Sequence, residues 1–417
     1  MLIPLAPTRV NDAFFQPLDG LAATSPHTYP CPEYSDEDWV RLGVQRVLER
    51  VESGRAFLQE HGPRFDYQPT HSNYFAAHRS ERRLDLVRDV NRRLLATAAL
   101  PDHLASFPEL AHYECFALDG HWHQAAAHDP RHDGTKMAVG HFYSLNLRGH
   151  QLRHLTVGEG LHEHDMSVLK RLQPTGLRHD VPQGKGTRVL IVYDKAGIDF
   201  AYWKRCQREG AVYFISRVKE GMVYDWLADR PVDPRDPRQR GVTADRHIMT
   251  REGQQMRLIA YTDPITGQAY EFLTNEMDLP AGVIAELYRR RWDVEKVFDQ
   301  IKNKLGEKKA WGTSPVAKAT QGQLVALTHN LLLIYEARLE RDHGVSNAAE
   351  DQRRQERHRE LKQAARQTGS PLTTLRTGLR RATQRSVKFL RWLRQALREN
   401  LAEEAAVPRL AHLYASL

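Results

Sequence analysis

The spacing of hydrophobic and polar residues predicts helices in the first hundred residues of the chain. Residues 1–34 are rich in proline and small residues and predict an irregular arm. Ser35 is followed by three acidic residues, a pattern typical of a helix start, and this helix is expected to run to Gly62 and Pro63. A second helical stretch covers 74–100. We therefore expect a helical N-terminal region.

After residue 112, short apolar runs bounded by turn residues predict strands mixed with helices. The predicted strands are 113–120, 137–147, 151–158, 188–194 and 211–218. The second and third of these strands should form a hairpin around Arg148 and Gly149. Helices are expected over 164–173 and 199–210. This order predicts an α/β fold with a mixed sheet and helices on its faces.

The segment that follows contains strands and turns but no helical periodicity. Pro231, Pro234 and Pro237 interrupt residues 219–275, which we interpret as a β-rich insertion. A hairpin is predicted over 256–275, turning at Asp263 and Pro264. A helix should then follow Pro280, and a longer apolar helix is expected from Ser314 to about Arg341. The tail beyond this helix is basic and helical in propensity.

The helix predicted after Pro280 carries an unusual row of polar side chains. At 100° per residue its apolar positions form one stripe, and four polar or aromatic residues follow the edge of that stripe. These are Tyr288, Arg291, Glu295 and Lys302. From the first to the last the helix would rise roughly 21 Å, enough to follow several phosphates of one strand. An exposed helix edge with incidental charges is the alternative interpretation.

Three acidic residues are placed where a metal-dependent site would need them. Asp119 and Asp194 are each predicted to end a short apolar strand, and ligand-binding side chains collect at such ends. Glu295 lies on the adjacent helix. Three carboxylates suit Mg²⁺ or Mn²⁺ better than zinc, and two such ions can promote phosphodiester cleavage. A structural role in turns is the alternative for each aspartate.

Charge is concentrated near one end of the 417-residue chain. Residues 351–400 contain fourteen Lys and Arg against four Asp and Glu, a net +10, whereas the whole chain has +8. A basic segment of this kind favours a polyanionic partner, although basic helices are also often solvated faces. The three cysteines, far apart and never in a CxxC pair, argue against a disulfide framework or a cysteine zinc site. We expect no secretion signal, no membrane span and a cytoplasmic location.

These residues resemble those of insertion-sequence DDE transposases carrying the Y-(2)-R-(3)-E-(6)-K signature. The four signature positions match without a gap, and 272–303 is similar to the family around them. The segment 188–221 resembles the part bearing the second aspartate, and 74–94 is similar less specifically. The resemblance extends over about 74–340. It implies a ribonuclease-H-like catalytic core, cleavage at transposon ends and strand transfer into target DNA.

The resemblance also implies roles for individual residues. The expected metal ligands and catalytic residues are Asp119, Asp194 and Glu295, holding two Mg²⁺ ions, with Mn²⁺ as a substitute. The expected DNA-binding residues are Tyr288, Arg291, Trp292 and Lys302. Trp292 would stack on a displaced base, the alternative being a core tryptophan. His121 and His123 stand where the family often has a hydroxyl residue. They form a zinc pair, or only His121 faces the cleft, or the pair lies in a turn.

The implied organisation has five parts, with double-stranded DNA (terminal inverted repeats and target) as partner and a homodimer in the DNA complex. The parts are 1–112 (helical, candidate DNA-end binding), 113–218 (first part of the core), 219–279 (β-rich insertion), 280–342 (signature helices) and 343–417 (basic, DNA contact or dimerisation). An apolar stripe at 387–397 suits either dimerisation or docking on the chain's own core. Arg79, Arg82, Arg83 and Arg88 are candidates for DNA reading or for ordinary packing. Two alternative functions are a catalytically silent DNA-end-binding regulator and a nuclease that does not join strands.

Overall fold

The computed structural model describes most of the chain and divides it into two compact units. The described residues are 7–31, 34–51, 53–61, 69–126, 128–129, 137–158, 163, 165–181, 186–194, 198–264, 267–305, 309–347, 356, 359–360, 363 and 384–415. The first unit comprises Met1–Leu100, His123–Ala138 and Val297–Leu417. The second comprises Pro101–Trp122 and Val139–Lys296.

The second unit is built on a sheet of nine described strands, in the order β3-β2-β1-β4-β5-β9-β8-β7-β6. The strands are β1 (Tyr113–Gln124), β2 (Met137–Asn146), β3 (Leu152–Gly158), β4 (Arg188–Val192), β5 (Val212–Arg217), β6 (Tyr224–Asp229), β7 (Val242–Thr250), β8 (Gln255–Thr262) and β9 (Ala269–Thr274). Strands β1, β4 and β5 are parallel, and the remaining described pairings are antiparallel. The predicted mixed α/β sheet is confirmed.

The described helices complete both units. They are α1 (Val10–Phe15), α2 (Asp36–Glu49), α3 (Gly54–His61), α4 (His71–Ala77), α5 (Glu81–Thr97), α6 (Asp165–Leu169), α7 (Phe200–Gly210), α8 (Ala281–Arg290), α9 (Trp292–Lys304), α10 (Pro315–His343), α11 (Gln384–Arg398) and α12 (Glu403–Ala415). None of these described helices combines the length and apolarity needed to cross a membrane.

The central parallel strands of the second unit are buried by helices and by each other. Their apolar runs are continuous, as expected for strands covered on both faces, and Leu190 pairs with Cys115 on one side and Tyr213 on the other. On α7, Trp203 stacks against Phe214 of β5 with ring centroids 5.1 Å apart. This packing fixes the positions of the strand ends next to which the site lies.

The strand-rich segment before α8 continues the same sheet. Strand β9 pairs with β5 (Ile215 opposite Thr274), and β8, β7 and β6 follow outward. Its inner anchor is a buried ion pair, in which the Arg257 guanidinium donates to both carboxylate oxygens of Asp245 (2.8 and 2.6 Å) and to the Leu279 carbonyl (2.5 Å). Because both charged groups of this pair are hydrogen-bonded, neither contributes the unfavourable free energy of a buried, unpaired charge. The bond to Leu279 also ties β8 to the start of α8.

In the first unit, helices surround the long, buried α10. Helices α1, α2 and α5 pack on it, and a buried amide bond joins Asn330 of α10 to Asn91 of α5 (2.9 Å). Ser314 caps the start of α10 by accepting the Ala317 amide (3.2 Å), and Gly344 ends it with a positive φ of 64°. The apolar helix predicted for this region is confirmed.

Several helix predictions were wrong in detail. The arm predicted as irregular contains α1, whose Val10 and Phe14 are buried. The helix expected from Ser35 to Gly62 is two helices, because Arg50 adopts the left-handed conformation (φ 62°) after α2. The stretch 74–100 likewise contains α4 and α5, with Ser80 capping the second by accepting the Arg83 amide. Capping side chains and one left-handed residue outweigh helix propensity at these points.

The C-terminal apolar stripe packs within the chain's own first unit. Leu390, Leu393 and Leu397 of α11 are buried, and the Trp392 indole donates to the Ala406 carbonyl (2.8 Å). Arg398 donates to the buried carboxylate of Glu49 (2.9 Å). Of the two interpretations of this stripe, docking on the chain's own core is therefore the one observed.

Candidate functional site

The first two predicted acids follow the last paired residues of two neighbouring strands. Strands β1 and β4 are parallel, with Ala117 opposite Val192, and Asp119 and Asp194 each lie two residues beyond that pair. The apolar runs before them are buried in the core, which holds the two backbones in register. The sheet therefore brings both carboxylates to one edge of its parallel centre.

Asp119 does not end its strand, contrary to the prediction, because β1 continues to Gln124. Close packing against β2 accompanies the extension. An added Cβ at Gly140 of β2 would lie 2.8 Å from a Trp122 ring carbon, and one at Gly120 would lie 3.0 Å from a Phe142 ring carbon. The absence of a Cβ at these two positions lets the aromatic rings lie against the neighbouring strand.

Asp119 is held in a low-polarity environment. Its carboxylate accepts a hydrogen bond from the Gly120 amide (2.8 Å). Burial, together with the negative charges of Glu295 and Asp165, raises the pKa of Asp119 to about 6, although Arg291 and the Gly120 amide oppose the rise. A carboxyl group with a raised pKa gains most from a nearby cation, which favours its ionised form.

Glu295 follows a one-residue interruption between two helices. A single helix was expected here, but α8 ends at Arg290 and α9 begins at Trp292, with Arg291 between them. The Arg291 amide bonds to the Tyr288 carbonyl (3.1 Å) and the Val294 amide to the Arg291 carbonyl (3.2 Å), so both bonds are of the tighter i to i−3 kind. The single helix predicted here is therefore interrupted at Arg291.

Arg291 is the group that connects the acids. Its guanidinium donates to a Glu295 carboxylate oxygen (2.9 Å) and lies 3.5 Å from an Asp119 oxygen, while only 7% of its side chain is exposed. Burial alone would lower the pKa of Arg291, but Tyr288, Glu295, Asp119 and Asp194 raise it above its ordinary value. The three predicted acids therefore surround one permanently charged cation.

The two aromatic residues of the joint differ in exposure. Tyr288 is buried against Phe272 (ring centroids 4.9 Å apart), and burial with the Asp194 charge raises its pKa to about 12, although Arg291 lowers it. Trp292 is 55% exposed, with the Arg291 guanidinium carbon 5.4 Å from its ring centroid. The core interpretation of Trp292 is wrong. Its ring is accessible to a ligand.

The remaining predicted residues fall outside this cluster. Lys302 is an exposed residue of α9 and belongs to the first unit, whereas the acids belong to the second. His121 and His123 both lie in β1 and are buried, and burial lowers the pKa of His123 to about 4. The structure thus places His123 as a neutral, buried ring rather than in a turn.

The sequence did not indicate that Asp165 lies near the predicted acids. Asp165, at the start of α6, adds negative charge that raises the pKa values of Asp119 and of the buried Tyr193. Nothing in its local sequence distinguishes it from an ordinary acidic residue at a helix start. Asp165 lies near Asp119 because α6 packs on the sheet, and residue spacing along the chain does not predict that packing.

The donor chemistry at this cluster fits hard divalent cations. Asp119, Asp194 and Glu295 offer only oxygen ligands, which Mg²⁺ and Mn²⁺ prefer. Across the described residues, however, no three His, Cys, Asp or Glu side chains are arranged to hold a metal ion. The positive charge among the carboxylates is that of Arg291.

The arginines proposed for DNA reading in the first unit are mostly engaged in its packing. Arg82 donates to both oxygens of the buried Asp36 carboxylate (2.6 and 2.9 Å), and Arg83 donates to one of them (3.2 Å). Arg88 pairs with Asp85 on the surface (2.9 Å). For Arg82 and Arg83 the packing interpretation is therefore the one observed.

Comparison with known proteins identifies one family. A model described as a transposase DDE domain matches residues 117–331, more than half of the chain and a range that contains all three acids. No curated protein matches the chain. Among solved structures, the chain is similar to the piggyBac transposase in a cryo-EM structure of its synaptic complex with hairpin DNA. Sequence identity is 11%, the match covers 80% of this chain and 75% of that one, and the TM-score is 0.37.

Proposed function

The chain belongs to the transposase DDE domain family, and we propose that it cuts DNA at transposon ends and joins the freed strand to target DNA. The observation that carries this proposal is the gathering of Asp119, Asp194 and Glu295 around Arg291 inside the matched region. Strand cleavage requires that negative charge on the attacking and leaving oxygens be neutralised, and such a carboxylate cluster can hold the cations that do so.

Divalent metal ions are the cofactors we propose, with Asp119, Asp194 and Glu295 as their ligands. Two Mg²⁺ ions, replaceable by Mn²⁺, prefer the oxygen ligands that these three carboxylates offer. When bound, they would supply Lewis acidity for phosphodiester cleavage. The protein's own contribution is a rigid frame, since Asp119 lies on β1, Asp194 follows the neighbouring parallel strand β4 and Glu295 lies on α9.

The joint between α8 and α9 is proposed to hold the strand that is cut. Arg291 and Lys302 would contact phosphates, as would the Tyr288 hydroxyl, and Trp292 would stack on a displaced base. Exposure of Trp292 supports the stacking role. Tyr288 is buried against Phe272, so its first role is to brace the joint, and only its hydroxyl remains for a strand.

The finer classification is also part of the proposal. We assign the chain to the Y-(2)-R-(3)-E-(6)-K group and its core to the ribonuclease-H-like fold. The order in which the hairpin strands β3 and β2 lead into the parallel strands β1, β4 and β5 supports this fold. Partners would be double-stranded inverted repeats and target DNA, in the cytoplasm, with a homodimer in the DNA complex. Because the α11 stripe is buried in its own unit, the dimer would use another surface.

The test is cleavage of labelled duplex DNA carrying the flanking inverted repeats, in Mg²⁺ or Mn²⁺. We expect the native protein to nick at the repeat boundary and Glu295→Gln to reduce the rate by at least about 1,000-fold while DNA binding persists, because loss of one ligand charge removes the cation that stabilises the transition state. Glu286→Gln is the matched control. It makes the same change on α8, where Glu286 pairs with Arg289 and Arg290, and should keep most activity.

The products separate the three candidate functions. Joined strand-transfer product supports the transposase, and hydrolysis without joining supports a nuclease of the same fold. If neither protein cuts verified ends in either metal while both bind them, the chain is a silent DNA-end-binding protein. Equal cleavage by the native protein and by Glu295→Gln would contradict the proposed site.

A further inference from the structure

Arg291 occupies an unusual electrostatic position for a residue whose proposed role is to bind DNA. Its side chain is 7% exposed, and two of its nitrogens face the Glu295 and Asp119 carboxylates at 2.9 and 3.5 Å. Its Nε is buried and has no hydrogen-bond partner in the described structure. The guanidinium is thus held by charge more than by a complete set of hydrogen bonds, an arrangement that favours partner exchange.

The same carboxylates are the proposed metal ligands, and this creates a conflict. A divalent cation held by Asp119 and Glu295 would need the same carboxylates that the guanidinium now contacts, and like charges that share ligands repel strongly where water is excluded. Arg291 cannot lose its charge, because an arginine remains protonated in proteins and the nearby acids raise the pKa of this one further. It must therefore move away for the metal to bind well.

We infer that Arg291 acts as an internal cation that keeps the carboxylates neutralised until DNA arrives, and that it exchanges Glu295 for a strand phosphate as the metal ions load. The inference rests on the proposed function. Arg291 lies at the joint between α8 and α9 rather than within a helix, beside the exposed ring of Trp292. The guanidinium is therefore next to a side chain that reaches solvent.

The exchange makes DNA binding and metal binding mutually dependent. When a DNA phosphate binds the Arg291 guanidinium, Glu295 becomes available to the cations. When cations bind the carboxylates, Arg291 becomes available to the phosphate. By linkage, each ligand must strengthen the other by the same factor. A protein built in this way loads its cutting ions chiefly on bound DNA, which limits damage to other nucleic acid.

The experiment is Mn²⁺ binding to the full-length protein without DNA, measured by calorimetry and by the electron-paramagnetic-resonance signal of free Mn²⁺. We expect Arg291→Gln to bind Mn²⁺ at least about 10-fold more tightly than the native protein, because the competing charge is gone. Arg289→Gln is the matched control. Arg289 is exposed, pairs with Glu286 on the same helix, and should leave Mn²⁺ affinity unchanged.

Further variants test whether a change in Mn²⁺ affinity comes from the lost charge and from this cluster. Arg291→Lys retains the charge and should leave Mn²⁺ affinity within about threefold of native, and circular dichroism checks that both variants fold. Adding Glu295→Gln to Arg291→Gln should abolish the gain, which places the gained ion at this cluster. Mn²⁺ affinity in folded Arg291→Gln equal to or below the native value would overturn the inference.

Measurements with DNA distinguish a failure of this inference from a failure of the proposed function. A pre-cut duplex carrying the transposon end should raise Mn²⁺ affinity in the native protein and leave that of Arg291→Gln nearly constant. A native protein that cleaves ends through Glu295, but whose Mn²⁺ affinity is unaffected by Arg291→Gln, refutes the exchange and leaves the function intact. Tighter Mn²⁺ binding in the variant, without any cleavage or end binding by the native protein, supports the exchange of charge and refutes the function.

Discussion

At the residue scale, two aromatic side chains on either side of Arg291 have opposite surroundings. Tyr288 is buried against Phe272, whereas Trp292 exposes 55% of its surface. An exposed tryptophan contributes little to folding, so its apolar area remains for a ligand. Because every base presents a π-face, single-stranded or unstacked nucleotides at a transposon end are the ligands that suit it.

We therefore predict that Trp292→Ala weakens end binding without weakening the fold. The free energy of unfolding should change by less than about 0.5 kcal/mol, because the ring is exposed, whereas DNA-end affinity should fall by about 1–3 kcal/mol, the range for loss of one stacked base. Urea unfolding and fluorescence anisotropy measure the two quantities. Trp226→Ala is the control, since Trp226 on β6 is 64% exposed and lies outside the proposed site.

Both variants losing affinity equally would show that Trp292 acts only as general apolar surface. Unchanged affinity in Trp292→Ala alone would remove the stacking role.

The individual site residues show which features of this site a sequence reveals. The sequence pointed to Asp119, Asp194 and Glu295 as one group of carboxylates, and all three raise the pKa of Arg291 in the structure. Their role as metal ligands stays a prediction. The sequence did not identify Asp165, whose effect on Asp119 depends on how α6 packs. Nor did it show that Arg291 lies among the acids, since a side chain's choice between carboxylate and solvent depends on burial that only the folded chain sets.

At the element scale, the sequence does not predict the joint between α8 and α9. Helix breaks are most often marked by proline or glycine, and neither occurs among residues 283–304. Apolar periodicity continues through the joint, so the sequence predicts a single helix. Asp293, in the first turn of α9, is a local residue typical of a helix start near the joint. The sheet was easier to predict because its strands are separated by turn residues, and the hairpin of β2 and β3 was found where expected.

The position of α8 depends on close packing at its start. Gly282 lies so near the turn at Pro237–Gln239 that an added Cβ would be 1.5 Å from the Arg238 carbonyl oxygen. Because the obstacle is backbone, α8 or the turn would have to shift. Since α8 carries Tyr288 and leads into Arg291, a shift at its start would be transmitted to the site.

We predict that Gly282→Ala lowers the free energy of unfolding by about 1–3 kcal/mol, the usual cost of overpacking. Replacing glycine by alanine inside a helix otherwise stabilises by up to about 1 kcal/mol, so a net loss shows that the clash outweighs helix propensity. Gly176→Ala is the control, because an added Cβ there meets nothing within 4 Å. Urea unfolding measures both variants, and a stabilised Gly282→Ala would mean that α8 is not fixed by this contact.

At the scale of the whole molecule, charge is distributed unevenly between the described helices and the basic segment. Within residues 351–400, some arginines have structural partners: Arg394 donates to the Leu48 and Lys304 carbonyls, and Arg398 donates to Glu49. These two stabilise the first unit and are poor candidates for DNA. The arginines of 353–381 fall largely outside the described residues, so the sequence interpretation of that stretch as a DNA contact stays a prediction.

Salt dependence tests that prediction, because each phosphate neutralised by lysine or arginine releases counterions. We expect the combined change of Arg376, Arg380 and Arg381 to glutamine to reduce the slope of log K against log salt by about 2–3, at roughly 0.9 per contact. Anisotropy with one duplex over a series of KCl concentrations measures the slope. Arg88→Gln, which removes a surface arginine paired with Asp85, serves as the control and should change the slope by less than 1.

A matching fall in affinity for unrelated duplexes would identify the contacts as phosphate contacts, since base readout would reduce affinity for the end sequence alone. An unchanged slope in the triple variant would mean that the excess charge of this segment is a solvated face. The affinity of the chain for DNA would then have to come from the two folded units, where Arg82 and Arg83 are already committed to Asp36. In that case Lys302 and the joint at Arg291 become the principal contacts, and Lys302→Gln should reduce the slope by about 1.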